Sequence, residues 1–142
     1  MSELPALHVL LVEDDDVAAE AVMRSLQRAK IDTPVIWVED GQAALDVLRE
    51  SDECRKAPRP RIVLLDLNMP RMNGFEFLEA IRADERLKDE VVFVLTTSSA
   101  DTDRNRAYNE NVAGYMVKSS VGPQFAKLVN LLDGYRQAVQ LP

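Results

Sequence analysis

A carboxylate placed directly after a wholly apolar run needs a chemical reason. In IVLLDLNMP (62–70), Asp66 follows four aliphatic residues and precedes a turn ending in proline. An ionised Asp is costly in apolar surroundings unless a cation or a set of hydrogen bonds compensates it. Three other segments end an apolar run in reactive side chains: HVLLVED in Glu13 and Asp14, VVFVLTT in Thr96 and Thr97, and GYMVK in Lys118. Brought together, Glu13, Asp14 and Asp66 would repel one another and push at least one pKa upward. A hard divalent cation relieves that conflict, and Mg2+ suits it, taking carboxylates together with waters and a phosphate oxygen. The same residues suit phosphoryl transfer. Asp66 could attack phosphorus and become an aspartyl phosphate. The Lys118 ammonium and the Thr96 hydroxyl would then meet charge on the phosphoryl oxygens.

Taken singly, each residue has a plainer reading. Acids after a strand cap the next helix, and an Asp at a strand end is a turn residue. A lone lysine is normally solvated, and threonines are strand formers. Only joint placement at separate strand ends favours chemistry, so the elements that carry these residues decide the matter.

Strand and helix patterns alternate along the chain. HVLLV (8–12) is branched and apolar, a buried strand that ends at Glu13-Asp14-Asp15-Asp16. The segment to about Lys30 carries Val17, Ala21, Met23, Leu26 and Ala29 at near-helical spacing, with Asp15 or Asp16 as its N-cap. PVIWVE (34–39) is a second strand in which Trp37 packs, and Asp40-Gly41 turns the chain into AALDVLRE. DECRKAPRPR (52–61), with two prolines and four basic residues, is a long loop. Its charges read as a solvated surface before a docking patch. IVLLDL is strand three, and Asn73-Gly74 opens FEFLEAIRA, where Phe75, Leu78 and Ile81 share one helical face. VVFVLTT (91–97) is strand four, SSADTD supplies caps for the next helix, and GYMVK (114–118) is strand five. A last helix from about Pro123 places Phe125, Leu128, Val129, Leu132 and Tyr135 on one stripe. Five strand–helix units imply an α/β fold, a parallel sheet covered on both faces. In such sheets the ligand site lies beyond the carboxyl ends of the strands, where strand order reverses.

The bulk properties narrow the function further. A chain of 142 residues suits one domain, here 1–142 with a core of about 8–138. The net charge of −7 argues against nonspecific nucleic-acid binding and is compatible with cations, a basic partner or mere solubility. No apolar stretch approaches the roughly 18 residues of a membrane span, and MSELPALHV lacks the marks of a signal peptide. The single cysteine, Cys54, has no internal partner, which favours a reducing, cytoplasmic setting. His8 has no second ligand residue at useful spacing and reads as structural.

LLVEDD, LLDLNMPRMNG, VLTT and GYMVK, in this order and spacing, strongly resemble the receiver domain of two-component response regulators, over nearly the whole chain. The resemblance implies a doubly wound, flavodoxin-like five-stranded parallel sheet of order 2-1-3-4-5. It implies Asp66 as phosphoacceptor from a sensor histidine kinase, with Mg2+ held by Asp14, Asp66, the Asn68 backbone carbonyl and, through water, Glu13. Thr96 becomes the switch hydroxyl, Lys118 the phosphate-contacting lysine and Tyr115 the aromatic switch residue. In this family proline usually follows the lysine, whereas here Ser119 does, which leaves the isomer of the Lys118–Ser119 peptide open. The extended loop before strand three, VLTTS, GYMVKS and the terminal Leu-Pro look like single-domain regulators that partner bacterial phytochromes. Such a protein is not an enzyme in the usual sense, although it assists its own phosphotransfer and slow dephosphorylation. With no output domain after residue 142, it would signal through phosphorylation-dependent protein contacts. Leu131, Val139 and Leu141 could extend the helix 4–strand 5–helix 5 face for a homodimer, against which ordinary core packing competes.

Three alternatives stand beside this expectation. A phosphorylation-silent pseudo-receiver would keep the fold alone. An aspartyl-phosphate hydrolase of the haloacid-dehalogenase type would need a second Asp where Asn68 stands. A flavodoxin-like cofactor binder would need small and hydroxyl residues after strand one, where Glu13-Asp14-Asp15-Asp16 would repel a phosphate.

Overall fold

The computed structural model describes residues 7–28, 33–69 and 71–118, together with Gly134. The last helix expected from the sequence, the dimer face that includes it and the Lys118–Ser119 peptide lie outside these residues. The elements alternate as β1 (His8–Val12), α1 (Asp16–Arg28), β2 (Val35–Val38), α2 (Gly41–Leu48), β3 (Arg61–Leu65), α3 (Gly74–Ala83), β4 (Val92–Thr96), α4 (Asp101–Asn109) and β5 (Gly114–Val117). All strand pairs are parallel, in the order β2-β1-β3-β4-β5. The expected doubly wound five-stranded parallel sheet is therefore present.

Successive strand residues serve opposite faces, and both faces are covered. Leu10, Val12, Val63, Leu65 and Val94 pack with α2 and α3 through Leu45, Leu48, Phe77, Leu78 and Ile81. Val9, Leu11, Ile62, Leu64 and Leu95 pack with α1 through Ala19, Val22 and Leu26. All five residues of β3 are buried, which explains why its sequence shows no alternation. Each fully buried Leu, Ile or Phe contributes about 1.5–3 kcal/mol relative to exposure. No helix among the described residues is long and apolar enough to cross a membrane.

The helices begin where the local sequence supplies acceptors for free N–H groups. The Asp15 carboxylate accepts from Val17 N–H at 2.9 Å, and Asp40 from Ala43 N–H at 2.8 Å. Asn73 and Glu76 form a reciprocal capping box on α3. Two expectations need correction. The α1 face turned to the sheet is Ala19, Val22 and Leu26, while Val17 is 71% exposed. Two residues turn a helix by about 200°, so a helix packed through Ala19 directs Val17 outward. At α4, Ala100 is the N-cap without a side-chain cap bond. Ser98, in the stretch SSADTD that was expected to cap this helix, instead donates its hydroxyl to Asp103 Oδ2 in the first turn of α4 at 2.6 Å.

The basic loop before β3 spends its cations inside the molecule. Arg55 bonds Asp52 and Glu39, Lys56 the Asp52 carbonyl, and Arg59 and Arg61 the buried Glu90. That favours the plain reading of this loop over a docking patch.

Candidate functional site

Sheet order alone brings the sequence-distant acids together. Val12, the last residue of β1, pairs with Val38 on one side and Leu65 on the other. One residue further, Glu13 N–H donates to the Val38 carbonyl and Asp66 N–H to the Val12 carbonyl, each at 3.0 Å. The ladder thus fixes both backbones at the point where strand order reverses. Glu13 and Asp66 are 2% and 6% exposed, and Asp14 stands in solvent at the rim. One carboxylate oxygen from each of Glu13, Asp14 and Asp66 lies within 4.8 Å of the others.

Asp66 is held from the α3 side as well. Its Oδ1 accepts from Asn68 N–H at 3.2 Å, and Gly74 N–H donates to the Leu67 carbonyl at 3.0 Å. A Cβ on Gly74 would stand 2.6 Å from Leu67 Cα and 2.8 Å from the Asp66 carbonyl. The first turn of α3 is therefore pressed against the Asp66–Leu67 backbone, and only glycine fits there.

The Lys118 ammonium, arriving from the end of β5, donates to Glu13 Oε1 and lies 3.5 Å from Asp66 Oδ2. Burial pushes the Glu13 carboxyl up to about 7, helped by its hydrogen bond and charge repulsion with Asp66 and opposed by Lys118. Burial pulls the Lys118 ammonium down, but Glu13 and Asp66 outweigh it and hold its pKa above the usual lysine range. The Lys118 ammonium thus meets two of the three carboxylates, Glu13 and Asp66. The excess negative charge, an all-oxygen donor set and the short separations fit a hard divalent cation. The upward shift expected for one of the converging acids falls on Glu13.

The remaining expected residues form a second group beside the first. Thr96 ends β4 fully buried, and its hydroxyl accepts from Ser98 N–H at 3.2 Å. Half-buried Tyr115 donates its hydroxyl to the Ser98 carbonyl at 3.0 Å. Burial raises the Tyr115 phenol, against the lowering by that bond. Exposed Asn68 approaches Thr97 Oγ1 with its side-chain amide at 3.5 Å. Two participants were missed in the sequence. Ser98 joins Thr96, Tyr115 and Asp103, and the Trp37 indole N–H donates to the Glu13 carbonyl at 2.7 Å. A partly buried indole seeks an acceptor, and β2 neighbours β1, which was enough to look for one near Glu13.

Comparison with known proteins agrees with this architecture. A family model described as the response regulator receiver domain matches residues 9–130. The probable methanogenesis regulatory protein FilR2 of Methanothrix harundinacea is 43% identical over 110 residues, covering 78% of this chain and 70% of that protein. Response regulator Rcp1 of Synechocystis is 35% identical over 139 residues, covering 97% and 95%. The structure of the Mn2+-bound form of Rcp1 superposes with a TM-score of 0.78, covering 97% of this chain and 99% of that one. The phosphorylated cyanobacterial phytochrome response regulator RcpA, 32% identical, superposes with a TM-score of 0.81 at the same coverage.

Proposed function

The chain belongs to the response regulator receiver domain family, and we propose that this receiver domain accepts a phosphoryl group on Asp66. The donor is a phosphohistidine on a sensor kinase. An Asp66 carboxylate oxygen attacks phosphorus, the O–P bond forms as the P–N bond breaks, and the departing imidazole takes up a proton. Lys118, already 3.5 Å from Asp66, offsets charge on the phosphoryl oxygens. The Thr96 hydroxyl, which accepts from Ser98 N–H, donates its own proton to a phosphoryl oxygen, and Tyr115 follows through Ser98, whose carbonyl accepts the phenol. Asp14, Asp66 and the Asn68 carbonyl, with Glu13 beside them, would hold Mg2+. When bound, that ion supplies positive charge opposite the transferring group. The phosphoryl group carries a charge of about −1.5 to −2 but replaces the −1 of the Asp66 carboxylate, a net change of roughly −0.5 to −1, and the protein acts in the cytoplasm by altered protein contacts.

The observation that carries this reading is a buried Asp66 with a lysine and two further acids around it, at the reversal of strand order. Incubation with acetyl phosphate and Mg2+ is expected to add one phosphoryl group to the intact mass. Asp66→Asn or removal of Mg2+ should abolish the gain. An unlabelled wild-type protein, under conditions that label another receiver, would favour the pseudo-receiver. A phytochrome-type kinase is the partner we favour, because Rcp1 and RcpA resemble this chain over nearly its whole length. Phosphotransfer from such a kinase to this chain, in competition with an unrelated kinase, tests the pairing.

A further inference from the structure

We propose that Trp37 is a positioning residue for the acidic pair, and that Arg55 braces it from the open edge of the sheet. This rests on the cation reading of the site given above. The carbonyl that the Trp37 indole holds, at 2.7 Å, belongs to the peptide joining Glu13 to Asp14. The N–H of Glu13 is already held by the Val38 carbonyl at 3.0 Å. Both peptide units flanking Glu13 are therefore fixed from β2, one by backbone and one by a side chain. Glu13 lies one residue beyond the last paired residue of β1, and the indole reaches past the strand end to hold its carbonyl. Rotation of this peptide would swing the Asp14 carboxylate relative to Glu13 and Asp66.

Trp37 is itself braced. Its ring packs partly buried against the α1-side core. Its backbone carbonyl accepts from Arg55 Nη1 at 3.3 Å. The Arg55 guanidinium is in turn aimed by Asp52, with Nε donating to Oδ2 at 2.9 Å, and reaches Glu39 at 3.4 Å. Asp52 Oδ1 accepts both Cys54 N–H and Arg55 N–H at 2.8 Å, which folds the loop so that the guanidinium turns back onto β2. A chain of contacts thus runs from the loop before β3, through Trp37, to the peptide that sets both acids.

The test is calorimetric titration with Mg2+, and with Mn2+, of wild type, Trp37→Phe, Arg55→Met and the packing control Met23→Ala. Each protein is first checked for folding by circular dichroism. Trp37→Phe keeps an aromatic ring and removes the donor, and is expected to weaken cation binding roughly 10-fold, as loss of an orienting partner does. Arg55→Met should shift affinity in the same direction by less, and Met23→Ala should lose stability at unchanged affinity. Wild-type affinity in Trp37→Phe, with stability lowered as in the control, would overturn the proposal. If Trp37→Phe does not fold, Arg55→Met decides, and unchanged affinity there overturns it. Wild type that neither binds a cation nor takes phosphate from acetyl phosphate overturns the site reading and this proposal together. Wild type that does both while the variants match it overturns this proposal alone.

Discussion

Glu13 concentrates the electrostatic tension of the site in one carboxyl. Its pKa rises from 4.5 to about 7 in the folded chain, first through burial and then through Asp66. Between those two values the folded state keeps a proton that the unfolded chain has already lost. The resulting stability is complete below 4.5 and is lost as pH rises through about 7. Without divalent cation, thermal melts across that window should therefore show falling stability, by roughly 1–3 kcal/mol from this residue. Glu13→Gln should flatten that portion of the profile, and a variant with the wild-type slope would assign the effect elsewhere. Which acid takes the shift was not legible in the sequence. Glu13 and Asp14 are equal in a string of letters, and only the inward course of Glu13 separates them. Trp37 and Ser98 were hidden for a related reason, since the Trp37–Glu13 and Tyr115–Ser98 hydrogen bonds join segments far apart in sequence and leave no local pattern.

At the scale of elements, local chemistry was readable wherever it decided the structure by itself. Asp15, Asp40 and Asn73 cap the helices they precede, as their residue types indicate. The α1 stripe was misjudged because spacing names a face but not its direction, and the sheet chose Ala19, Val22 and Leu26. The α3 N-terminus gives a sharper test. Gly74→Ala would drive a Cβ to 2.6 Å from backbone, and should cost about 1–3 kcal/mol while disturbing Asp66. Gly41→Ala meets chiefly the flexible Met72 side chain, at 2.8 Å, and should cost less. Urea unfolding of both variants checks the order, and equal losses would contradict it.

The whole molecule separates its chemistry from its fastening. Reactive groups gather beyond the carboxyl ends of the strands, and a second polar cluster sits at the opposite end. There Arg61 grips the buried Glu90 through two bonds of 2.9 and 2.8 Å, and Arg59 adds a third at 2.9 Å. Removing one partner of a buried ion pair costs about 3–5 kcal/mol. Glu90→Gln should lose stability on that scale, while the protein that remains folded still gains one phosphoryl group. Loss of labelling at full folding would show that the two ends are coupled. The strand order was legible because strand and helix units alternate and the motifs match a family. This cluster was not, since Glu90 stands in the polar stretch LKDEVV and looks like any surface acid.

Arg82 has a mechanical consequence. Its guanidinium donates to the carbonyls of Lys88, Glu90, Glu110 and Asn111, at 2.7–3.0 Å. Glu110 is the C-cap of α4, and nearby Arg106 lies over the Phe75 ring at 4.1 Å. Among the described residues, the ties of α4 to the body therefore gather in its last turn, while Ser98–Asp103 is a side-chain tie at its first. Held in this way at its last turn, α4 would pivot about Arg82 if a displacement at Thr96 and Ser98 were passed to its first turn through the Ser98–Asp103 bond.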